Sequence, residues 1–122
     1  MLIKQLSKCK EFIAGDKTVL REILHPDKED LSIHYSLAHA VLDLGEKSTK
    51  HSLKKASEVY YILAGTGLMH INNESEQVRP ESVVYIPPGA VQYIENIGEE
   101  KLVFLCIVDP PWTPKDEEVF FS

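Results

Sequence analysis

The sequence has little cysteine, no long apolar run and no excess of basic residues, and each shortage argues against a class of protein. Its two cysteines, Cys9 and Cys106, have the spacing of neither a redox pair nor a zinc knuckle. The longest apolar run, residues 102–108, falls far short of the roughly 20 residues that a membrane helix needs. A net charge of −6 disfavours the concentrated basic surface that nucleic-acid binding requires. We therefore expect neither a membrane nor a nucleic acid as partner.

What is present is typical of one globular domain. The chain has 122 residues, of which 43% are hydrophobic and 26% charged, and a chain of this length buries a single core. The first residues carry scattered lysines without the apolar segment of a secretory signal. We expect a single domain over residues 1–122 that works in the cytoplasm.

Short apolar runs rich in Val, Ile, Leu and Tyr alternate with clusters of Gly, Pro, Asn, Asp and Ser, and no heptad or internal repeat is present. This pattern is typical of an antiparallel sandwich or barrel, so we predict an all-β fold. The predicted strands are 18–25, 32–43, 50–53, 57–63, 67–72, 76–79, 83–86, 91–96 and 101–108.

Local signals predict one hairpin and a short helical piece at each end of the chain. A turn at Gly65 and Thr66 would pair strand 57–63 with strand 67–72. Residues 1–12 are expected to form a short helix. A second helix is expected from Thr113, as the N-cap before a proline and an early acid, to about Phe120.

Alternation along strands brings a few polar side chains to common faces. His51 and Leu53 share one face, and Glu58 and Tyr60 share one on the next strand. Gln92 follows a bend at residues 87–89, where proline and glycine interrupt the sheet. These residues are the candidates for chemistry.

At these positions the chain resembles the small single-domain cupins. The first cupin motif, at residues 45–65, is met by Gly45, His51, Glu58 and Gly65. The second, at residues 81–96, is met by Pro87, Gly89 and Asn96. The resemblance implies a double-stranded β-helix, also called a jelly-roll or cupin barrel, with a metal site in its interior.

Three positions depart from the cupin pattern. Leu53 and Gln92 stand where histidines are usual, and Glu81 stands where a turn glycine is usual. By the resemblance, His51, Glu58 and Gln92 remain as metal ligands, for Zn, Mn, Fe or Ni, with fewer nitrogen donors favouring a harder ion such as Mn²⁺. The alternative is a cupin that has lost its metal, in which His51 pairs with Glu58 and Leu53 fills the vacated space.

Four side chains are candidates for ligand binding, namely Tyr60, Leu53, His39 and His25. Tyr60 is expected to form part of the pocket wall. His39 enters the barrel if alternate residues from Tyr35 form the inner face, and His25 ends a predicted strand. Both histidines are also compatible with structural roles, whereas His34 and His70 are predicted to lie at the surface. A lysine cluster near His51 is either a solvated loop or a positive rim for an anionic ligand; it comprises Lys47, Lys50, Lys54 and Lys55.

Three functions remain open at this stage. The first is a cupin that holds a divalent metal and a small polar or anionic ligand, and the second is a metal-free, non-catalytic binding protein. The third is a metal-dependent sugar-phosphate isomerase, although no phosphate-binding glycine loop is present. A homodimer is expected because Tyr61, Leu63 and Leu68 have outward parity.

Overall fold

The computed structural model describes residues 1–13 and 18–120, and strands dominate both ranges. The strands are β1 (Glu11–Ile13), β2 (Val19–Leu24), β3 (Ser36–Leu42), β4 (His51–Leu53), β5 (Ser57–Ala64), β6 (Gly67–Ile71), β7 (Glu74–Val78), β8 (Val83–Ile86), β9 (Gln92–Asn96), β10 (Leu102–Asp109) and β11 (Glu117–Val119). All nine predicted strands are present, with ends that differ by a few residues. The additional strands, β1 and β11, lie near the two ends of the chain.

The strands form two antiparallel sheets that face each other. Sheet A has the order β1-β2-β3-β10-β5-β8, and sheet B has the order β11-β4-β9-β6-β7. Because neighbours in each sheet are mostly distant in sequence, the chain crosses repeatedly between the sheets. This is the jelly-roll architecture, and it confirms the all-β prediction.

The core lies between the inward faces of the two sheets. Four core side chains have no exposed surface. Three of them, Leu42, Ile62 and Leu102, belong to sheet A, and Ile94 belongs to sheet B. Each such side chain contributes about 1.5–3 kcal/mol when it leaves water. Alternate residues of β10, from Leu102 to Val108, are buried, as expected for a strand with one face in the core.

The turn positions of the two motifs have left-handed backbone conformations. The φ angles are 74° at Gly45, 87° at Gly65, 82° at Gly89 and 75° at Glu81. At Gly65 an added Cβ would lie 2.6 Å from the carbonyl oxygen of Lys101, so no other residue fits there. Glu81 therefore takes a glycine conformation with a side chain that disfavours it.

The predicted hairpin between residues 57–63 and 67–72 is wrong. β5 pairs with β10 and β8, whereas β6 pairs with β7 and β9. At Gly65 the chain passes from sheet A to sheet B instead of reversing within one sheet. A glycine with positive φ suits a reversal within one sheet and a passage between two sheets equally well, so the sequence around Gly65 cannot distinguish the two.

A short helical piece is present near each end of the chain as predicted, but each is a 3₁₀ turn of three residues rather than the longer helix expected. Near the start of the chain only Leu6–Lys8 is helical, as a short 3₁₀ turn, and β1 follows. Near the other end Pro114–Asp116 form a 3₁₀ turn and β11 follows, while the Thr113 side chain makes no capping hydrogen bond. Within the described ranges no helix is long and apolar enough to cross a membrane.

Candidate functional site

Three polar side chains form a buried hydrogen-bonded chain between the sheets. The Tyr60 hydroxyl donates to Gln92 Oε1 over 2.9 Å, and Gln92 Nε2 donates to Glu58 Oε1 over 2.9 Å. Gln92 is fully buried, and only 4% of Tyr60 and 7% of Glu58 are exposed. β5 carries Tyr60 and Glu58 on one face, and β9 supplies Gln92 from the opposing sheet.

The orientation of the Gln92 amide follows from its two neighbours. Gln92 donates through its amide nitrogen to Glu58 Oε1, and this oxygen accepts whether or not the other carboxyl oxygen carries a proton. The amide oxygen then faces Tyr60, whose ring packs against Phe104 with a centroid distance of 4.7 Å. Both ends of the amide are thus occupied by side chains of the barrel interior.

Glu58 is the buried acid of this site. Burial raises the pKa of its carboxyl, and the nearby Glu117 charge acts in the same direction, whereas His51 and the Gln92 hydrogen bond oppose the rise. Its second oxygen has no hydrogen-bond partner within residues 1–13 and 18–120. Glu58 can therefore accept a further hydrogen bond or hold a proton.

His51 lies beside this chain and is half-buried. It is paired with Gln92 across β4 and β9, so its side chain shares the inner face with that residue. Its Nδ1 atom lies 2.8 Å from the carbonyl oxygen of Thr49. Because a carbonyl only accepts, Nδ1 carries the proton and Nε2 presents a lone pair.

Leu53 fills the space beside His51 with apolar atoms. It is 4% exposed and packs with Ala56 and Val108, against which Trp112 also lies. Val108 is the strand partner of Glu58. The position that holds a second histidine in the cupin motif is therefore closed by a hydrophobic cluster.

The donor set as arranged does not fit a metal ion. Gln92 turns its amide nitrogen, not its oxygen, towards Glu58, and nitrogen of an amide is no ligand for these ions. No three His, Cys, Asp or Glu side chains converge on one point in the described part of the chain. Metal binding at His51, Glu58 and Gln92 stays a prediction, and it would require the Gln92 amide to turn over.

One site residue, Glu117, was missed in the sequence. It is half-buried on β11 and pairs with Leu53, so it faces the same side as Leu53 and His51. Its charge acts on Glu58. The sequence signals around Thr113 indicated a helix here, and a helix would not place Glu117 beside β4.

His25 and His39 lie elsewhere. His25 is 4% exposed, its Nε2 donates to the carbonyl oxygen of Trp112 over 2.7 Å, and its Nδ1 accepts from the Asp27 amide over 3.2 Å. His39 is on the outer face of sheet A, because Ala40 and Leu42 occupy the inner face of β3. The condition under which His39 would enter the barrel, an inner face formed by alternate residues from Tyr35, is therefore not met.

His70 and Lys50 lie on the outer side of sheet B. His70 lies on the outer side of sheet B, where it bonds Glu95 over 2.8 Å and Ser75 over 2.7 Å. Lys50 lies over the ring of Tyr93 on that same side. Cys106 is a buried residue as predicted, and burial together with Glu58 raises the pKa of its thiol well above the usual range.

Comparison with known proteins agrees with this geometry. Residues 38–108 match the cupin domain family. The chain belongs to the cupin family. It is 38% identical over 115 residues to the uncharacterized protein MJ1618 of Methanocaldococcus jannaschii, a match that covers 94% of this chain and 91% of that protein. The cupin resemblance seen in the two motifs is thereby confirmed.

Two further proteins are similar to this chain. A glucose-6-phosphate isomerase of Pyrococcus abyssi is 31% identical over 98 residues, which are 76% of this chain and 47% of the isomerase. The chain thus spans about half the length of that relative. The crystal structure of a predicted oxalate decarboxylase from Thermotoga maritima superposes with a TM-score of 0.80 at 22% identity, covering 89% of this chain and 99% of that one. That likeness concerns the fold.

Proposed function

We propose that this cupin binds a small polar molecule in its barrel through side chains rather than through a metal. The observation that carries the proposal is the Gln92 amide, which bridges Tyr60 and Glu58 and is held at both ends. Turning this buried amide towards an ion would break both of its hydrogen bonds, at a cost that metal binding would have to offset. The hydrogen-bonded chain of Tyr60, Gln92 and Glu58, together with Leu53, lies at the positions where the cupin motifs usually carry metal ligands.

Each residue has a distinct part in the proposed binding. The free oxygen of Glu58 accepts a hydroxyl or amine proton of the ligand, and Nε2 of His51 accepts another. Tyr60 and Gln92 hold Glu58 in place without touching solvent. The half-buried His51 and Glu117 mark the side from which a ligand enters.

A thermal-shift screen with and without chelator tests the proposal. Sugars, polyols, amines and carboxylates, including oxalate and fructose 6-phosphate, are each added to the protein in the presence and absence of EDTA. We expect at least one class to raise Tm equally in both conditions, and the rise to shrink in Tyr60→Phe. A response that disappears with EDTA would contradict the proposal.

A metal-dependent site is the second candidate. Its specific support is His51, whose Nδ1 donates to a backbone carbonyl and leaves Nε2 available, the arrangement that usually orients a metal-binding histidine. Protein purified without chelator would then contain metal, or would take up Mn²⁺, Fe²⁺, Ni²⁺ or Zn²⁺ in a manner lost in His51→Ala. Protein that neither contains nor takes up any of these ions removes this candidate.

An isomerase acting on sugar phosphates is the third candidate, and its support is the likeness to the Pyrococcus abyssi isomerase. The site, however, holds two carboxylates near each other, and these repel a phosphate unless a cation intervenes. Titration with glucose 6-phosphate and fructose 6-phosphate, with and without Mn²⁺, decides the matter. No binding in either condition would eliminate it.

We also propose a homodimer formed through the outer face of sheet A. On this face Leu63 and Tyr61 of β5 lie near Val83 and Tyr85 of β8, with exposures of 43%, 37%, 65% and 60%. Leu68 lies on sheet B and does not extend this patch. Contiguous exposed apolar surface of this kind favours association with a second sheet.

A further inference from the structure

We propose that Ser75 is a nucleophile that His70 activates and Glu95 orients, and that it accepts the acyl group of a small neutral ester at the edge of sheet B. These three residues lie on the outer face of that sheet, away from the barrel interior, so the activity is independent of the proposed binding function. The site combines a hydrogen-bonded row of side chains with a free main-chain edge and an adjoining groove.

The side chains of Ser75, His70 and Glu95 form a continuous hydrogen-bonded row. His70 Nε2 lies 2.8 Å from Glu95 Oε1, and His70 Nδ1 lies 2.7 Å from Ser75 Oγ. Because the Glu95 carboxylate accepts, Nε2 carries the proton, and Nδ1 of the neutral imidazole accepts from the Ser75 hydroxyl. A nucleophile, a base and an orienting carboxylate, each within hydrogen-bond reach of the next, form the arrangement that activates serine in acyl transfer.

The strand register brings these residues together and fixes the imidazole ring. His70 of β6 is directly opposite Ser75 of β7 and Tyr93 of β9, and Glu95 shares the outer face of β9 with Tyr93. The rings of His70 and Tyr93 stack with centroids 4.1 Å apart and 8° between their planes. The His70 side chain is only 16% exposed, whereas Ser75 is exposed. The base is therefore held in place, and a substrate can reach the nucleophile.

The main chain of Ser75 faces the free edge of sheet B. β7 is the last strand of that sheet, so in the described part of the chain no strand pairs with its outer side. The two-residue turn at 72–73 makes Ile71 and Glu74 the hydrogen-bonded pair that closes the hairpin. The next pair, His70 and Ser75, is then a non-hydrogen-bonded pair, in which the side chains are close and the main-chain groups point outwards. The Ser75 N–H group can therefore donate to an oxyanion formed on the attacked carbonyl.

A groove of about 450 Å³ adjoins Ser75 between β7 and β8, the free edges of the two sheets. Ser75 is one of its lining residues, and Ile71 gives it a partly exposed apolar surface. Glu74 and Glu76, which flank Ser75 along β7, also line the groove. A short apolar acyl group can pack against Ile71, whereas the two carboxylates repel an acyl group of negative charge. The substrate class is therefore a neutral ester with a short acyl chain.

The reaction transfers the acyl group to Ser75 and then to water. Ser75 Oγ attacks the ester carbonyl carbon while His70 Nδ1 takes the hydroxyl proton. The bond to the alcohol oxygen breaks, and His70 gives the proton to that oxygen. Water then attacks the acyl-serine and gives a proton to His70, and Ser75 Oγ leaves and takes up that proton. Ester and water become alcohol and carboxylic acid, and no other reactant is needed.

Acylation by p-nitrophenyl acetate and p-nitrophenyl butyrate tests the proposal. We expect release of p-nitrophenolate together with an acyl group on the peptide that contains Ser75, located by mass spectrometry. Ser75→Ala should abolish this acylation, and His70→Gln should slow it about a hundredfold. Ser7→Ala and His34→Gln remove the same groups at other exposed positions and should keep the native rate. Acylation confined to lysines, or a native rate in Ser75→Ala, would overturn the proposal.

Glu95→Gln tests the positioning role of the carboxylate. We expect acylation to slow about tenfold or more, and the ¹⁵N chemical shifts of His70 to change from the Nε2–H tautomer towards a mixture of tautomers. A variant that reacts more slowly while His70 keeps its native tautomer would show that Glu95 does not orient the base.

Two measurements on the native protein need no variant. Diisopropyl fluorophosphate should phosphorylate Ser75 with release of fluoride, and a Ser75 that stays unmodified would contradict its assignment as a nucleophile. The neutral p-nitrophenyl acetate should react faster than the anionic mono-p-nitrophenyl succinate, because Glu74 and Glu76 flank the serine. Equal rates for the two esters would refute the proposed substrate class.

Discussion

The Nε2 atom of His25 donates a hydrogen bond of 2.7 Å to the carbonyl oxygen of Trp112 and so connects the end of β2 to the segment that leads to β11. The Trp112 amide in turn donates to Ser36 Oγ over 3.0 Å. Through these contacts a buried histidine at the end of β2 fixes the course of the chain towards Glu117. His25 therefore acts as a positioning residue.

Replacing His25 should loosen this connection. In His25→Ala the Trp112 carbonyl and the Asp27 amide both lose their partner, and we expect the free energy of unfolding to fall by about 1–3 kcal/mol. Urea denaturation measures this loss, and hydrogen exchange of residues 117–119 should become faster. His34→Ala, at an exposed position, is the control. Equal stability of the two variants would show that the His25 hydrogen bonds do not contribute to the free energy of unfolding.

Removing the Tyr60 hydroxyl should destabilise the protein, because it breaks the buried hydrogen-bonded chain of Tyr60, Gln92 and Glu58. Tyr60→Phe leaves the oxygen of the fully buried Gln92 without the donor that Tyr60 supplies, at a cost of about 1–3 kcal/mol. The control is Tyr61→Phe, which removes the hydroxyl of the neighbouring, outward-facing tyrosine. Thermal unfolding of the pair gives the difference, and a Tyr60→Phe protein as stable as Tyr61→Phe would refute the role of this bond.

Glu81→Gly should stabilise the protein. Glu81 has a φ of 75° and is exposed, so glycine relieves a left-handed conformation that costs a side-chain-bearing residue about 1–2 kcal/mol, offset in part by greater freedom of the unfolded chain. We expect a net gain of about 0.5–1 kcal/mol from these terms. The converse change, Gly45→Ala, meets no neighbouring atom and should lower stability by a similar amount. A loss of stability in Glu81→Gly would contradict the assignment.

These turns show which parts of the fold the sequence could predict. A left-handed turn is a local requirement, so the glycines at 45, 65 and 89 reveal it directly. The position of β11 depends on contacts between Asp116 and residues 55 and 56, which lie far away in sequence. The proline and acid that suggested a helix suit a 3₁₀ turn equally well, and only the tertiary partners decide between them.

Part of the candidate site could likewise be predicted from the sequence, and part could not. Spacing located His51, Glu58 and Gln92, because alternate residues of a strand share a face. The direction of the Gln92 amide depends on Tyr60 and on the opposing sheet, and spacing carries no information about it. The same holds for Glu117, whose neighbours on β4 are more than sixty residues earlier.

His39 should make stability depend on pH. Burial, and secondarily the charge of Arg21, lower the pKa of His39 below its ordinary value of 6.5. Below that pH the unfolded chain binds the proton more readily than the folded chain, so stability falls as the pH drops from about 7 towards 5. His39→Gln should reduce this slope, measured by urea unfolding across that range. An unchanged slope would assign the pH dependence to other groups.

The outer face of sheet A supplies the last prediction. Val83 and Tyr85 are the most exposed apolar side chains of β8, and a stable interface buries about 800 Å² on each partner. We expect the native protein to sediment as a dimer and Tyr85→Lys to sediment near the 13.8 kDa of one chain, because a buried unpaired ammonium is costly. Glu76→Lys changes the charge on β7, in the other sheet, and should remain dimeric. A native protein that is already monomeric at high concentration would show that this face serves another purpose.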